Sequence, residues 1–150
     1  MHPLEMLAQQ VEWTGDNFAY NLGFIPDDKL DWKPAPTALS ALEIANHAAE
    51  ALLQMSSVLR GGKYETDFAA TTTRQSAQNA LRESAAQFAQ TMREMKPEEF
   101  EQIVVLPWGE YPKIAAASMD AVEIVHHHGQ IAYIQTLLGD TTSHFEMLGT

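Results

Sequence analysis

Three side chains from two distant parts of the chain, His47, Glu123 and His127, are of the types that hold a metal ion. His47 falls three residues after Ile44 and four before Ala51, within the stripe Ile44, Ala48, Ala51, Met55 and Val58, so helical geometry turns it toward a core. An inward histidine also has a plain structural use, as a neutral imidazole bonded to a backbone carbonyl. Only partners distinguish the two uses.

Candidates for those partners lie in the run Glu123-Ile124-Val125-His126-His127-His128-Gly129-Gln130. At about 100° per residue, Met119, Ile124, Ile131, Ile134, Leu137 and Leu138 set the apolar arc. Glu123 and His127 fall near its middle, His126 at one flank and His128 outside it. Glu123 and His127 are one helical turn apart, the spacing at which two side chains grip one ion. A carboxylate on an apolar face is costly unless it is paired or metal-bound. Two imidazoles and a carboxylate would hold a divalent cation and leave positions open for water or substrate, as catalytic metal sites do. The competing account is a surface histidine cluster, with Glu123 merely favouring a helix N-terminus. A di-iron centre fails on count. Glu123 and His126 form one Glu-x-x-His pair, but a second pair and two further inward glutamates are missing.

The elements that must position these residues are helical. Leu4, Leu7, Val11, Thr14 and Phe18 recur at three- and four-residue steps and predict a first helix that stops before Pro26. Residues Pro26 to Thr37 carry three prolines and read as an ordered loop. Ser40 and Glu43 form a capping-box pattern opening a second helix, Ala41 to Arg60, which ends at Gly61-Gly62. A third helix runs from about Thr73 to Met95, with Pro97 as its stop. Between Phe100 and Pro112 the β-branched run Ile103-Val104-Val105-Leu106 is followed by Pro107-Trp108-Gly109, a long crossover with room for a small β-hairpin. Ser118 is the expected N-cap of a fourth helix, with Asp120 and Glu123 in its early turns and Gly139 at its end. The remainder, Asp140–Thr150, is too polar and short to assign. The expected fold is all-α, a four-helix bundle with long crossover connections and that hairpin between helices three and four. Bundles build their sites from side chains on facing helices.

Composition narrows the function. A chain of 150 residues, 45% hydrophobic, is expected to form one domain, residues 1–150, with a sizeable core. Its net charge of −11 repels phosphate backbones, so neither nucleic acid nor an anionic membrane surface is an expected partner. With no cysteine, the chain has no thiolate ligand or nucleophile of its own. No segment approaches the length of a membrane span, and Met1–Gln10 lacks signal-peptide character, which makes the cytoplasm the expected location.

Trp32-Lys33-Pro34, leading into Ser40-Ala41-Leu42-Glu43-Ile44-Ala45-Asn46-His47, and the later His127-His128-Gly129-Gln130-Ile131 with Tyr133 and Leu138-Gly139 resemble motifs of the DinB-like (DinB/YfiT) superfamily. The resemblance covers most of the chain and implies a metal-binding four-helix bundle. In that family a helix-two histidine and a His-x-x-x-His pair on the last helix typically hold the metal. His47 matches the first of these and His127 the last, whereas Glu123 stands at the middle position, a departure that leaves His126 as an imperfect substitute. The family name refers to a damage-inducible gene and implies no DNA chemistry. Some relatives are thiol-dependent S-transferases.

Three functions follow. The first is a transferase using a low-molecular-weight thiol on a small-molecule substrate, with a bound cation lowering the thiol pKa. The second is a hydrolase activating water. The third is a non-catalytic bundle binding a metal or small ligand. The His/His/Glu set suits Zn, Ni, Fe or Mn. Trp108, Glu110 and Tyr111 are candidates to cover the pocket or simple packing anchors, Gln130 to bond a ligand, a group that supports the site or, more commonly, a facing helix, and Trp13, Asn17 and Tyr20 to line a pocket or a dimer interface, with packing the commoner use. His144 receives no role. A twofold homodimer is expected, because bundles with an exposed apolar helix face commonly pair.

Overall fold

Helix formation follows the apolar periodicity, and the ends follow local capping chemistry. The computed structural model describes residues 2–144; Met1 and residues 145–150, the end of the unassigned polar segment, lie outside them. Helix α1 spans Glu5–Leu22 and buries Ala8, Val11, Thr14, Phe18 and Leu22. The proline-rich connector contains a short 3-10 turn, Asp27–Lys29, and packs Trp32 against the core. Helix α2 spans Ala41–Leu59. Its capping box is complete: Glu43 N donates to Ser40 Oγ at 3.2 Å and Ser40 N donates to Glu43 Oε2 at 2.8 Å. Helix α3, Arg74–Glu94, is capped by Thr73 and Ser76 in the same reciprocal way and buries Leu81, Ala85, Phe88 and Met92.

The crossover forms the expected hairpin. Strand β1, Ile103–Leu106, pairs antiparallel with β2, Gly109–Pro112, with Val104 opposite Tyr111 and Leu106 opposite Gly109. Gly109 has φ +152°, a value that side chains rarely adopt, and it closes the turn that carries Trp108.

Helix α4 departs from expectation. It spans Lys113–Leu137, so Ser118 lies inside it and is not its N-cap. Strand β2 runs straight into the helix through Pro112. Lys113 N donates to Gln102 O at 2.9 Å and Ile114 N to Phe100 O at 3.1 Å, so main-chain carbonyls satisfy the first amides without a side-chain cap. Ser118 Oγ donates instead to Ile114 O at 2.9 Å, one turn back. The C-terminal end falls two residues before Gly139, whose φ of +100° supplies the left-handed position after the helix.

The helices close a ring: α1 packs on α3 and α4, and α2 packs on α3 and α4. Phe18, Leu52, Met55, Leu81, Phe88, Ile124 and Ile131 fill the centre. The α1–α3 seam is tight at Gly15, where an added Cβ would stand 2.5 Å from Ala85 Cβ. Arg93 clamps the same pair of helices through Glu5 at 3.1 Å and Glu12 at 2.7 Å. Among the described residues no helix is long and apolar enough to cross a membrane.

Candidate metal centre

The α2–α4 seam brings His47, Glu123 and His127 together, each offering one donor atom, all within 4.8 Å of one another. The His47 and His127 rings meet edge to face with centroids 4.8 Å apart. His127 is 5% exposed, and its two ring nitrogens have different surroundings. Nδ1 lies 2.7 Å from Gln130 Oε1, an acceptor, so the ring proton belongs on Nδ1. The other nitrogen, Nε2, is buried and has no hydrogen-bond partner, although Glu123 Oε1 is 3.0 Å away. Both atoms present lone pairs, so the contact is favourable only with a proton or a metal cation between them. Donors bound to one cation at about 2.0–2.2 Å stand roughly 3 Å apart. The His127–Glu123 pair matches that spacing, and with a small movement of the exposed His47 the three residues could hold a divalent cation.

Burial corrects part of the sequence reading. His47 is exposed and does not enter the core, and the Glu123 side chain is 46% exposed. The wheel places His47 at the edge of the apolar arc of α2, and beside that edge the structure leaves a cleft. The triad thus lies at a rim, with one of its three members buried. His128, expected outside the apolar arc, is buried. Its Nε2 lies 2.8 Å from Asn21 Oδ1, its ring stacks on Phe18, and burial lowers its pKa. Asn21 in turn donates to Gln135 Oε1 at 2.8 Å, so this histidine fastens α4 to α1. His126 stays exposed, edge-on to His127, and does not join the triad.

The cleft beside the triad holds about 310 Å³. Ala51 and His47 form its α2 wall, and Met119, Asp120 and Glu123 its α4 wall. Tyr64 and Trp108 close the remaining side, their rings edge to face at 5.1 Å. Asn46 holds the segment that follows Tyr64, bonding Thr71 through its backbone N and hydroxyl at 2.8 Å and its carbonyl at 3.0 Å. Asp120 is 4% exposed, and its Oδ2 has no hydrogen-bond partner. Burial, and then the charge of Glu123, push the Asp120 carboxyl up to about 7. Burial, with the carboxylates of Asp120, Glu123 and Glu50, pushes the Tyr64 phenol up to about 12.

Sequence reasoning missed Asp120 and Tyr64 as site residues. With Ser118 as the cap, Asp120 passes for an acid favouring a helix N-terminus; with α4 starting at Lys113 it lies in the third turn, where that explanation no longer applies. Trp108 lines the cleft as expected, whereas Glu110 does not, and Tyr111 packs against the core. Gln130 supports His127 on its own helix. Trp13, Asn17 and Tyr20 lie away from the cleft: Asn17 donates to Trp13 O at 3.0 Å, and Tyr20 packs on Phe24. His144 contacts Asp140 at 2.8 Å and stacks on Phe24.

A sequence profile of the DinB superfamily matches residues 10–131. No match was found among curated proteins. Among solved structures, a DinB-like protein from Bacillus subtilis superposes with a TM-score of 0.76 at 16% identity, over 91% of this chain and 94% of that one. A DinB-like protein from Bacillus cereus gives 0.74 at 18% identity, over 95% and 98%. A mycothiol-dependent maleylpyruvate isomerase gives 0.70 at 13% identity, over 86% of this chain and 60% of that one. At these identities the structural likeness establishes the fold.

Proposed function

The chain belongs to the DinB superfamily, and from that premise we propose that it is a metal-dependent enzyme, with His47, Glu123 and His127 as its mononuclear site and a low-molecular-weight thiol as co-substrate. The observation that carries the proposal is His127 Nε2, buried, without a hydrogen-bond partner and facing the Glu123 carboxylate at 3.0 Å. When bound there, a cation such as Zn, Ni, Fe or Mn supplies Lewis acidity that lowers the pKa of a thiol or of water.

The rest is done by the chain's own groups. Gln130 Oε1 holds the His127 ring proton on Nδ1 and aims Nε2 at the site. Glu123 brings a negative charge to the position where the family typically has a third histidine. His47, exposed at the rim, is free to close on an incoming ion. The cleft lined by Tyr64, Trp108 and Met119 provides a partly apolar surface for a small substrate. A chain without cysteine has no thiol of its own, so thiol chemistry at this site would use an external one, and one structural neighbour is described as mycothiol-dependent.

Metal analysis of protein purified without a histidine tag tests the first half. The expected result is about one equivalent of divalent metal, lost in His47→Ala and His127→Ala. Less than about half an equivalent, unchanged by either substitution, would leave a non-catalytic bundle. Cobalt substitution tests the second half. Addition of a low-molecular-weight thiol should produce near-ultraviolet sulfur-to-cobalt absorption that both variants lack. Cobalt bound without that band would remove the thiol and favour the hydrolase reading.

A further inference from the structure

The triad leaves part of the cleft unused. Asp120, one turn before Glu123 on α4, is not among the three residues whose donor atoms converge, yet its carboxyl is buried against the cleft with Oδ2 unpartnered. Buried carboxyl oxygens are normally satisfied, and a lone one on a residue that lines a cavity points to a ligand that donates a hydrogen bond to that carboxyl.

The surroundings specify what kind of ligand. Among the described residues no lysine or arginine lines the cleft, and the acids Asp120 and Glu123 do. Glu50 adds to the negative field at Tyr64, and the whole chain carries −11. With the triad empty, an anionic ligand would meet these carboxylates without a lysine or arginine to offset them, whereas a cation would be drawn in; an ion at the triad would be offset in part by Glu123 and leaves Asp120 as the unpaired acid. Tyr64 and Trp108 present aromatic rings on the opposite side, and the Trp108 side is 53% exposed, accessible to a ligand from outside. Indole and phenol rings attract ammonium groups and also pack against hydrocarbon.

We propose that this cleft binds the ammonium group of a small organic amine beside the triad, with Asp120 as its counter-ion and Tyr64 and Trp108 flanking its hydrocarbon part. The inference rests on the enzymatic reading only in making that amine the substrate; the binding site itself stands on the cleft. Burial of Asp120 and its proximity to Glu123, which raise its carboxyl, describe a group that a cationic partner would stabilise in its ionised form.

The test uses the full chain, with and without added zinc, and three probes of similar shape: 2-phenylethylamine, neutral 2-phenylethanol and anionic 3-phenylpropanoate. Calorimetric titration of the metal-free protein should show the amine binding at least about tenfold more tightly than the alcohol, with no binding of the carboxylate; in the zinc-loaded protein, where a carboxylate can bind the metal itself, the amine should keep its advantage over the alcohol. Asp120→Asn should weaken amine binding by about tenfold or more while leaving alcohol binding and zinc stoichiometry unchanged. Trp108→Leu, at an exposed position that does not endanger folding, should weaken the amine more than the alcohol. Equal affinity for amine and alcohol, or an Asp120→Asn protein that binds the amine as well as the parent does, would overturn the proposal. Amine selectivity in protein that takes up no zinc would uphold this site and defeat the metal reading. Zinc uptake without amine selectivity would do the reverse.

Discussion

His127 and His128 are neighbours in sequence with different work to do, and the difference lies in what each ring nitrogen meets. His128 is committed to Asn21 and the packing of α1, whereas His127 has Gln130 at one ring nitrogen and leaves the other, Nε2, without a hydrogen-bond partner. Gln130→Ala should therefore lower zinc affinity by about 10- to 100-fold in chelator competition while leaving the fold intact. Asp120 gives a pH signature in the metal-free protein. Its carboxyl is raised from 3.8 to about 7 in the folded chain, so between these values the folded state holds a proton that the unfolded state has released. Its contribution to stability is fully present below about pH 4 and is lost as pH rises to about 7, an effect of roughly 2–4 kcal/mol. Asp120→Asn should flatten that decline and leave the metal-free protein more stable than the parent near pH 8, as read from urea midpoints. A parallel decline in both proteins would mean that another group is responsible.

The two serines read as helix caps behave differently in the structure. Ser40 closes a reciprocal box at the start of α2, six residues before Asn46 and seven before His47, so it sets the end of the helix that carries one candidate ligand. Ser118 bonds back into its own helix. Ser40→Ala should cost about 1 kcal/mol in chemical denaturation. Ser118→Ala should stay within about 0.5 kcal/mol. The contrast shows what was legible at this level. The box at α2 is a local pattern, complete within four residues. The start of α4 depends on carbonyls of Phe100 and Gln102, reached only after the hairpin has folded back, and no local pattern encodes them. That displaced start also hid Asp120, because an acid near a supposed N-cap already has an explanation.

The closed ring of four helices places the triad across the α2–α4 seam, so an ion held there would join two elements far apart in the chain. Zinc at about 100 times its dissociation constant should add roughly 2.7 kcal/mol to unfolding stability and raise the melting temperature. His127→Ala should abolish that increment. Residue type and period were enough for the helical class, the hairpin, the capping box of α2 and the Glu123/His127 pair one turn apart, because each of these depends on side-chain chemistry and local spacing; that His47 of α2 meets the pair depends on the packing of α2 against α4. Depth was decided by the tertiary structure. Whether His47 is covered, whether Glu123 reaches solvent, whether His128 is buried and whether Asp120 faces a cleft all depend on which neighbouring element lies over that face of the helix. Periodicity gives the direction of a side chain, but its environment comes from packing between residues that are distant in sequence.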